Sequence, residues 1–161
     1  MLGLLRLRVV LVTLMMTVVA MAAGGIFDRR IWALLAAPVL VGAAAFVTCG
    51  GRWTRRLGSS LGAIVVATGI VVVSADGTGS DLSAAFGAGA QRLLSTDWPS
   101  PDRPDLLGIV ATGIGLATAI SAELARTRRL HLSPLLPVIV AQLLVIALSS
   151  PLGVRLRWML P

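Results

Sequence analysis

Five long apolar stretches dominate this sequence and limit what it can fold into. They cover residues 9–27, 31–50, 57–75, 106–125 and 132–150. The only charged side chain within them is Glu123, near the end of the fourth stretch. A helix needs about 20 residues to cross a hydrocarbon core of about 30 Å. Because lipid offers the backbone no hydrogen-bond partners, these stretches are predicted to be helices rather than strands.

We therefore expect an all-α integral membrane protein. Residues 1–161 should form a single membrane domain, a bundle of five transmembrane helices. The composition agrees, because 57% of the residues are hydrophobic, 13% are charged and the mean hydropathy is +0.92. A soluble domain has about a quarter of its residues charged. The lipid bilayer is thus the expected partner of most of the surface.

All of the basic residues are arginines, and they give a net charge of +7. They form short clusters between the apolar stretches, with few aromatic residues among them. This pattern favours a topology signal over nucleic-acid binding. With the N-terminus inside, eight arginines are cytoplasmic and six are outside, whereas six of the seven acidic residues are outside. We expect a multi-pass plasma-membrane protein with a cytoplasmic N-terminus and an extracytoplasmic C-terminus.

The first stretch has an alternative interpretation. Arg6 and Arg8 precede an apolar run that contains the sequence AMA at 20–22, a pattern that also resembles a cleavable signal peptide. The abundance of Ala, Gly, Val and Arg, with no Lys, is typical of a GC-rich bacterial genome. The expected location is therefore the bacterial plasma membrane.

Small residues are expected to hold the bundle together, because lipid provides no hydrophobic drive for helices to associate. Gly58 and Gly62 lie four residues apart at the start of the third stretch, and Gly115 lies on a small-residue face of the fourth. These faces would allow close approach of neighbouring helices, within the chain or with a protein partner or second copy. Pro38 should kink the second stretch.

Two polar side chains in the apolar stretches are candidates for a function. Gln142 lies near the middle of the fifth stretch, where an interhelical hydrogen bond is the simplest expectation and a transport path the alternative. Glu123 lies three residues before Arg126, so an ion pair on one helix face is expected. A proton relay is the alternative for Glu123, and it would need a second ionisable group deep in the membrane.

The loop at residues 76–105 is the only sizeable segment outside the predicted spans. Residues 81–94 carry apolar and small side chains at helical spacing, with Ser80 or Asp81 as a possible cap. This predicts a short extracytoplasmic helix at the membrane interface between the third and fourth spans. Asp105 is the predicted N-cap of the fourth span. Trp98 lies in a proline-rich segment. Its amphipathic ring is suited to anchor this loop at the depth of the lipid headgroups.

The sequence shows no recognisable catalytic pattern. Cys49 and His131 are the sole residues of their types, and no acid or amide is placed to complete a triad with them. There is no glycine-rich phosphate loop and no metal-ligand cluster. We therefore expect no catalytic residue, no cofactor and no metal site, and the protein is predicted not to be an enzyme.

Several short segments resemble a known membrane region. They read LLSTDWPSP at 93–101, PDLL at 104–107, AELA at 122–125 and LSPLLP at 132–137. In this order, they resemble the N-terminal membrane region of bacterial transglutaminase-like membrane proteins. In that family an extracytoplasmic domain with Cys, His and Asp follows. These residues have no counterpart here, so no catalytic role is carried over.

The resemblance implies a non-catalytic membrane anchor or scaffold that is linked to the cell envelope. A small transporter or channel component is the alternative from a different class. The membrane part of a split enzyme is a third possibility, which a neighbouring gene for a transglutaminase-like domain would support.

Labelling of single cysteines tests the predicted orientation. In a Cys49→Ser background, Asp97→Cys should react with an impermeant maleimide on intact cells, because the third-to-fourth loop is outside. Arg55→Cys should react only after permeabilisation. The reverse pattern would overturn the orientation.

Overall fold

The computed structural model describes residues 2–24, 27, 31–89, 91–92, 103–126 and 132–149. Among these residues the regular structure is helical and no β-strand is present, which confirms the all-α prediction. The described helices are α1 (Leu2–Gly24), α2 (Ile31–Leu34), α3 (Ala36–Val47), α4 (Trp53–Ser74), α5 (Gly79–Gly87), α6 (Pro104–Leu124) and α7 (Leu135–Ser149).

Three of these helices are long and apolar enough to cross a membrane. They are Gly3–Gly24 within α1, Trp53–Ser74 and Pro104–Leu124. They correspond to the first, third and fourth predicted spans, although α1 and α4 begin earlier in the chain than predicted. The second and fifth predicted spans contain the shorter apolar helices Trp32–Val47 and Leu135–Ala147.

The second apolar segment is interrupted at Leu35, between α2 and α3. Pro38 is buried in the first turn of α3. A proline has no N–H to donate to the carbonyl four residues earlier, which here belongs to Leu34, and its ring clashes there. At the break, the Leu35 N–H donates to the carbonyl of Trp32, three residues earlier, at 3.2 Å. The helix is therefore interrupted three residues before the proline.

Helix α6 lies at the centre of the described bundle. It packs against α1, α3, α4, α5 and α7. Of its apolar stretch 61% is buried, compared with 39% for α1 and 28% for α4. Four helices surround α6 in the order α7, α1, α3 and α4, and each packs against the next. The shared core includes Met16, Ala20, Ala23, Leu34, Ala37, Ala67, Val71, Leu106, Leu107, Ala111, Ile114, Val138 and Val145.

The helix termini gather at two opposite ends of the bundle. At one end α1 begins beside the ends of α3 and α6, because Val9 packs with Ala45 and Ala122. Helix α4 also begins there, since Arg56 pairs with Glu123. We call this end the arginine end, because it carries Arg6, Arg52, Arg55, Arg56 and Arg126. The opposite end carries α5 and the start of α6.

Large apolar side chains cover the outer surface of the described bundle. Leu14 of α1, Val66 of α4 and Leu143 of α7 are 58%, 56% and 60% exposed, and many similar side chains surround them. Water-soluble proteins rarely leave an apolar surface of this extent uncovered. Together with the three long apolar helices, this surface indicates a membrane location.

The helices α1 and α3 approach closely at Gly42. A Cβ atom at this position would lie 2.3 Å from Oγ1 of Thr13 on α1. The Thr13 hydroxyl is itself held in place, because it donates a hydrogen bond to the carbonyl of Val9, at 2.8 Å. Glycine is therefore required at position 42 for this packing.

The same substitution at two glycines should have opposite effects. Gly69→Ala should keep or raise thermal stability, because no atom lies near the new methyl and alanine is a better helix former by about 1 kcal/mol. Gly42→Ala should lower the melting temperature, because the methyl overlaps Thr13. Circular dichroism of both variants in one detergent measures the difference. Equal stabilisation by both substitutions would contradict the close approach of α1 and α3.

Candidate functional site

The main group of interacting charges lies at the arginine end, where α3, α4 and α6 meet. Glu123 is in the last turn of α6, and Arg126 follows just after that helix. Arg56 is in the first turns of α4, and Ala45 is near the end of α3. We call these four residues the Glu123 cluster. Three helices are joined here by polar contacts, and α6 is distant in sequence from both α3 and α4.

Both oxygens of Glu123 form ion pairs with arginines. Oε1 lies 3.2 Å from Nη2 of Arg56, and Oε2 accepts from Nη1 of Arg126. The i,i+3 pair expected between Glu123 and Arg126 is confirmed. Nη2 of Arg126 also donates to the carbonyl oxygen of Ala45, at 2.9 Å. Arg126 thus connects α6 to α3, while Glu123 connects α6 to α4.

The Glu123 cluster is only partly accessible to solvent. The side chain of Arg126 is 9% exposed, that of Arg56 is 21% exposed and that of Glu123 is 38% exposed. Contacts between charges at such partly dry positions are stronger than at a fully exposed surface. A charged group here becomes costly when its partner is removed. The cluster can therefore act as a clamp that fixes the relative positions of three helices.

A second polar contact lies deeper in the bundle, between α4 and α6. The hydroxyls of Thr68 and Thr112 are 3.0 Å apart, and both residues are buried. Each hydroxyl also lies within hydrogen-bond distance of a carbonyl one turn earlier in its own helix. Each polar group therefore has a partner in a region where water is absent. This contact joins the two helices that pack most extensively.

Helix α6 carries small residues on the face that meets α4. A Cβ atom at Gly115 would lie 3.1 Å from Cγ1 of Ile64, and one at Gly108 would lie 3.0 Å from Cγ2 of Val72. Gly115, a predicted packing residue, therefore lies at a close helix–helix contact. Small residues at such contacts let the backbones approach, which strengthens dispersion and hydrogen bonding in lipid.

The opposite end of the bundle contains a buried carboxylate. The Asp105 side chain is 5% exposed, and Oδ2 accepts from Nη1 of Arg92 at 2.9 Å. Arg103 lies near the other oxygen, at 4.0 Å. The prediction that Asp105 caps α6 is wrong, because Arg103 is the N-cap and Pro104 is the first helical residue. A proline is favoured at that position, which moves Asp105 into the first turn.

Helix α5 corresponds to the short helix that the sequence predicts between the third and fourth spans, but its cap differs. Thr78 is the N-cap, and Asp81 completes a capping box, with the Thr78 N–H donating to Oδ2 of Asp81 at 2.7 Å. The expected caps Ser80 and Asp81 are therefore wrong, because Asp81 is the third helical residue. α5 ends at Gly87, although Arg92 further along still donates its N–H to Ala88.

The capping box also affects the titration of Asp81. Hydrogen bonds from the backbone and side chain of Thr78, together with the charge of Arg103, lower the pKa of Asp81 below its ordinary value of 3.8. Because the pKa is lowered on folding, the ionised carboxylate stabilises α5 above pH 3.8. That contribution is lost as the pH falls through the lowered pKa.

The other residues that the sequence singles out do not gather at one site. Gly58 and Gly62 face outward on α4, and no atom lies within 4 Å of a Cβ built at either one. Gln142 is half-buried on α7 and makes no hydrogen bond with a described residue. The interhelical bond predicted for Gln142 is therefore not formed within the described chain. Trp98 lies outside the described residues.

The residues with potential for catalysis or metal binding are not gathered in the described chain. Cys49 is a buried free cysteine that packs with Val9, Ala45 and Ala122. His131 lies outside the described residues. Within the ranges that the structure covers, no group of three or more His, Cys, Asp or Glu side chains could hold a metal ion.

Comparison with known proteins gives no relative: no family model, no curated protein and no solved structure matches this chain. The resemblance to the membrane region of transglutaminase-like proteins therefore enters the functional argument as a proposal.

Two arginines at the same end of the bundle provide a matched test of the clamp. Arg126→Gln should lower the free energy of unfolding by about 1–3 kcal/mol, because the contacts with Glu123 and Ala45 are lost from a mostly buried position. Arg55→Gln should have almost no effect, because Arg55 is exposed and forms no ion pair with a described residue. Thermal unfolding in detergent compares the two. Equal effects would contradict the clamp.

Proposed function

We propose that this chain is a non-catalytic, polytopic membrane anchor or scaffold. Its function would be to hold partner helices, or a protein of the bacterial cell envelope, at the plasma membrane. The observation that carries this proposal is the use of polar side chains inside the described bundle. They form contacts between helices, at Thr68 and Thr112 in the interior and in the Glu123 cluster at the arginine end.

A carboxylate that moves protons or ions has to exchange partners during the transport cycle. Glu123 instead has an arginine on each oxygen, and one of these arginines is anchored to the backbone of a third helix. Breaking these contacts would remove the polar links among α3, α4 and α6 at this end of the bundle. This arrangement favours a rigid framework over a mobile transport path.

The proposal includes five membrane spans with a cytoplasmic N-terminus and an extracytoplasmic C-terminus. Helix α7 has 15 residues and α3 has 12, which is less than the roughly 20 residues of an average span. A bilayer can become thinner around short helices at modest cost. The arginine end would lie in the cytoplasm, as arginine-rich ends usually do. The capped helix α5 would then lie outside.

The resemblance to transglutaminase-like membrane proteins suggests the process in which the scaffold takes part. We place the chain in the cell envelope on this basis, as an anchor for an extracytoplasmic protein. A gene for a transglutaminase-like domain beside the gene for this chain would support that assignment.

A small transporter or channel component is the second candidate. The break at Leu35 and the half-buried amide of Gln142 support this alternative, because interrupted helices and polar mid-membrane residues occur along transport paths. The two candidates differ in whether a solute crosses the membrane through the chain.

Crosslinking in native membranes tests the scaffold function. A photoreactive residue in place of Leu61, which is 56% exposed on α4, should give adducts larger than the monomer. The same residue in place of the buried Ala67 is the control and should give crosslinks within the chain only. Recovery of monomer alone from the Leu61 position, or from other exposed positions on α1 and α7, would contradict a scaffold. Solute flux in reconstituted vesicles that Gln142→Leu abolishes would instead establish the transporter.

A further inference from the structure

Gln142 is a polar side chain on an otherwise apolar helix. It lies near the middle of α7, whose sequence LLPVIVAQLLVIALS contains no charged residue. The amide is half-buried and has no hydrogen bond to a described residue. In hydrocarbon, water cannot satisfy its two donors and its carbonyl, so a bound partner is strongly favoured.

The position of Gln142 on α7 limits where that partner can be. Val138 and Val145 form the buried stripe of α7 that packs against the core. Gln142 follows Val138 by four residues and precedes Val145 by three, so it lies at the border of this stripe. Ile139 and Ile146 are its neighbours on the open side, and they are 55% and 51% exposed. The amide is thus accessible to a helix that approaches from outside.

We propose that α7 pairs with α7 of a second copy of this chain through reciprocal hydrogen bonds between the two Gln142 side chains. A primary amide is self-complementary, because its NH₂ group can donate to the carbonyl of an identical amide. A two-fold axis along the membrane normal brings the same residue of each copy together. The apolar side chains of Ile139, Leu143 and Ile146 would pack around the amide pair.

The outward face of α4 is the competing surface for self-association. It presents Gly58 and Gly62, a spacing that occurs in dimers of membrane helices. Arg55 lies three residues before Gly58 on the same face, however. Two copies inserted in the same orientation would bring their Arg55 side chains together at this face. The first turn of α4 has no acidic residue to offset that repulsion, whereas α7 has no charge at all.

This inference adds a second copy as the partner on α7 and leaves the outward face of α4 to other partners, so it rests on the proposed scaffold function. The test uses the full chain in liposomes, with separate donor-labelled and acceptor-labelled populations, and measures energy transfer while the lipid-to-protein ratio is varied. The wild-type chain should show specific transfer that unlabelled chain competes away. Gln142→Leu should weaken association about tenfold, because the amide pair is lost. Gln142→Asn keeps a primary amide and should retain most of the association.

Gly62→Leu is the matched control on α4 and should leave energy transfer unchanged. Leucine is fully compatible with a membrane helix, so Gln142→Leu should keep its helical content and melting temperature, measured in parallel. Wild-type chain that remains monomeric would overturn the α7 pair, as would a Gln142→Leu variant that still associates fully. Loss of association in Gly62→Leu alone would assign the interface to α4.

Failure of this inference differs from failure of the scaffold proposal. A chain that is monomeric in liposomes but gives adducts at position 61 in native membranes would be a scaffold for another protein, and only the α7 pair would be wrong. A chain without adducts in native membranes would contradict the scaffold, whatever the purified chain does.

Discussion

Lipid cannot supply hydrogen bonds, and this constraint governs where the polar side chains of the bundle lie. A polar group that leaves water for hydrocarbon is costly unless another group in the protein bonds to it. In the interior, Thr68 and Thr112 meet this condition by pairing between α4 and α6. At the arginine end, the oxygens of Glu123 and the Nη atoms of Arg126 meet it by joining α6 to α4 and α3, whereas Nε of Arg126 is buried without a partner among the described residues. The same bonds that satisfy the polar groups therefore determine which helices are neighbours.

Helix α6 is central because it carries both the polar contacts and the small residues that allow close packing. Gly108 and Gly115 bring α4 near enough for Thr112 to reach Thr68. The end of α6 presents Glu123 to Arg56, and its start presents Asp105 to Arg92. Apolar side chains then face outward on α1, α4 and α7, where lipid is the favourable solvent. This arrangement, with polar links in the centre and apolar side chains outside, supports our proposal of a membrane scaffold.

The sequence predicted those features that depend on residues close together in the chain. The three long helices, the break before Pro38 and the Glu123–Arg126 pair follow from hydropathy, from proline geometry and from i,i+3 spacing. Contacts between distant residues were missed, such as that between Arg56 and Glu123, because periodicity does not say which helices are adjacent. Likewise, the sequence suggests the same packing role for Gly58 and Gly115. In the structure, Gly115 packs against Ile64, whereas no atom lies within 4 Å of a Cβ built at Gly58. The predicted N-caps of α5 and α6 were both wrong. Thr78 and Pro104 favour a helix start more strongly than the residues that were predicted to cap.

We propose that α7 lies in the bilayer, like the three long apolar helices, with one face on the core and the other toward lipid. Spin labels at Leu143→Cys and Val145→Cys, in a Cys49→Ser background in liposomes, measure this directly through relaxation by oxygen and by a water-soluble nickel complex. Leu143 is 60% exposed and Val145 is 7% exposed. The label at 143 should be accessible to oxygen and shielded from nickel, and the label at 145 should be shielded from both. Strong relaxation of the label at 143 by nickel would place α7 in water and contradict the account.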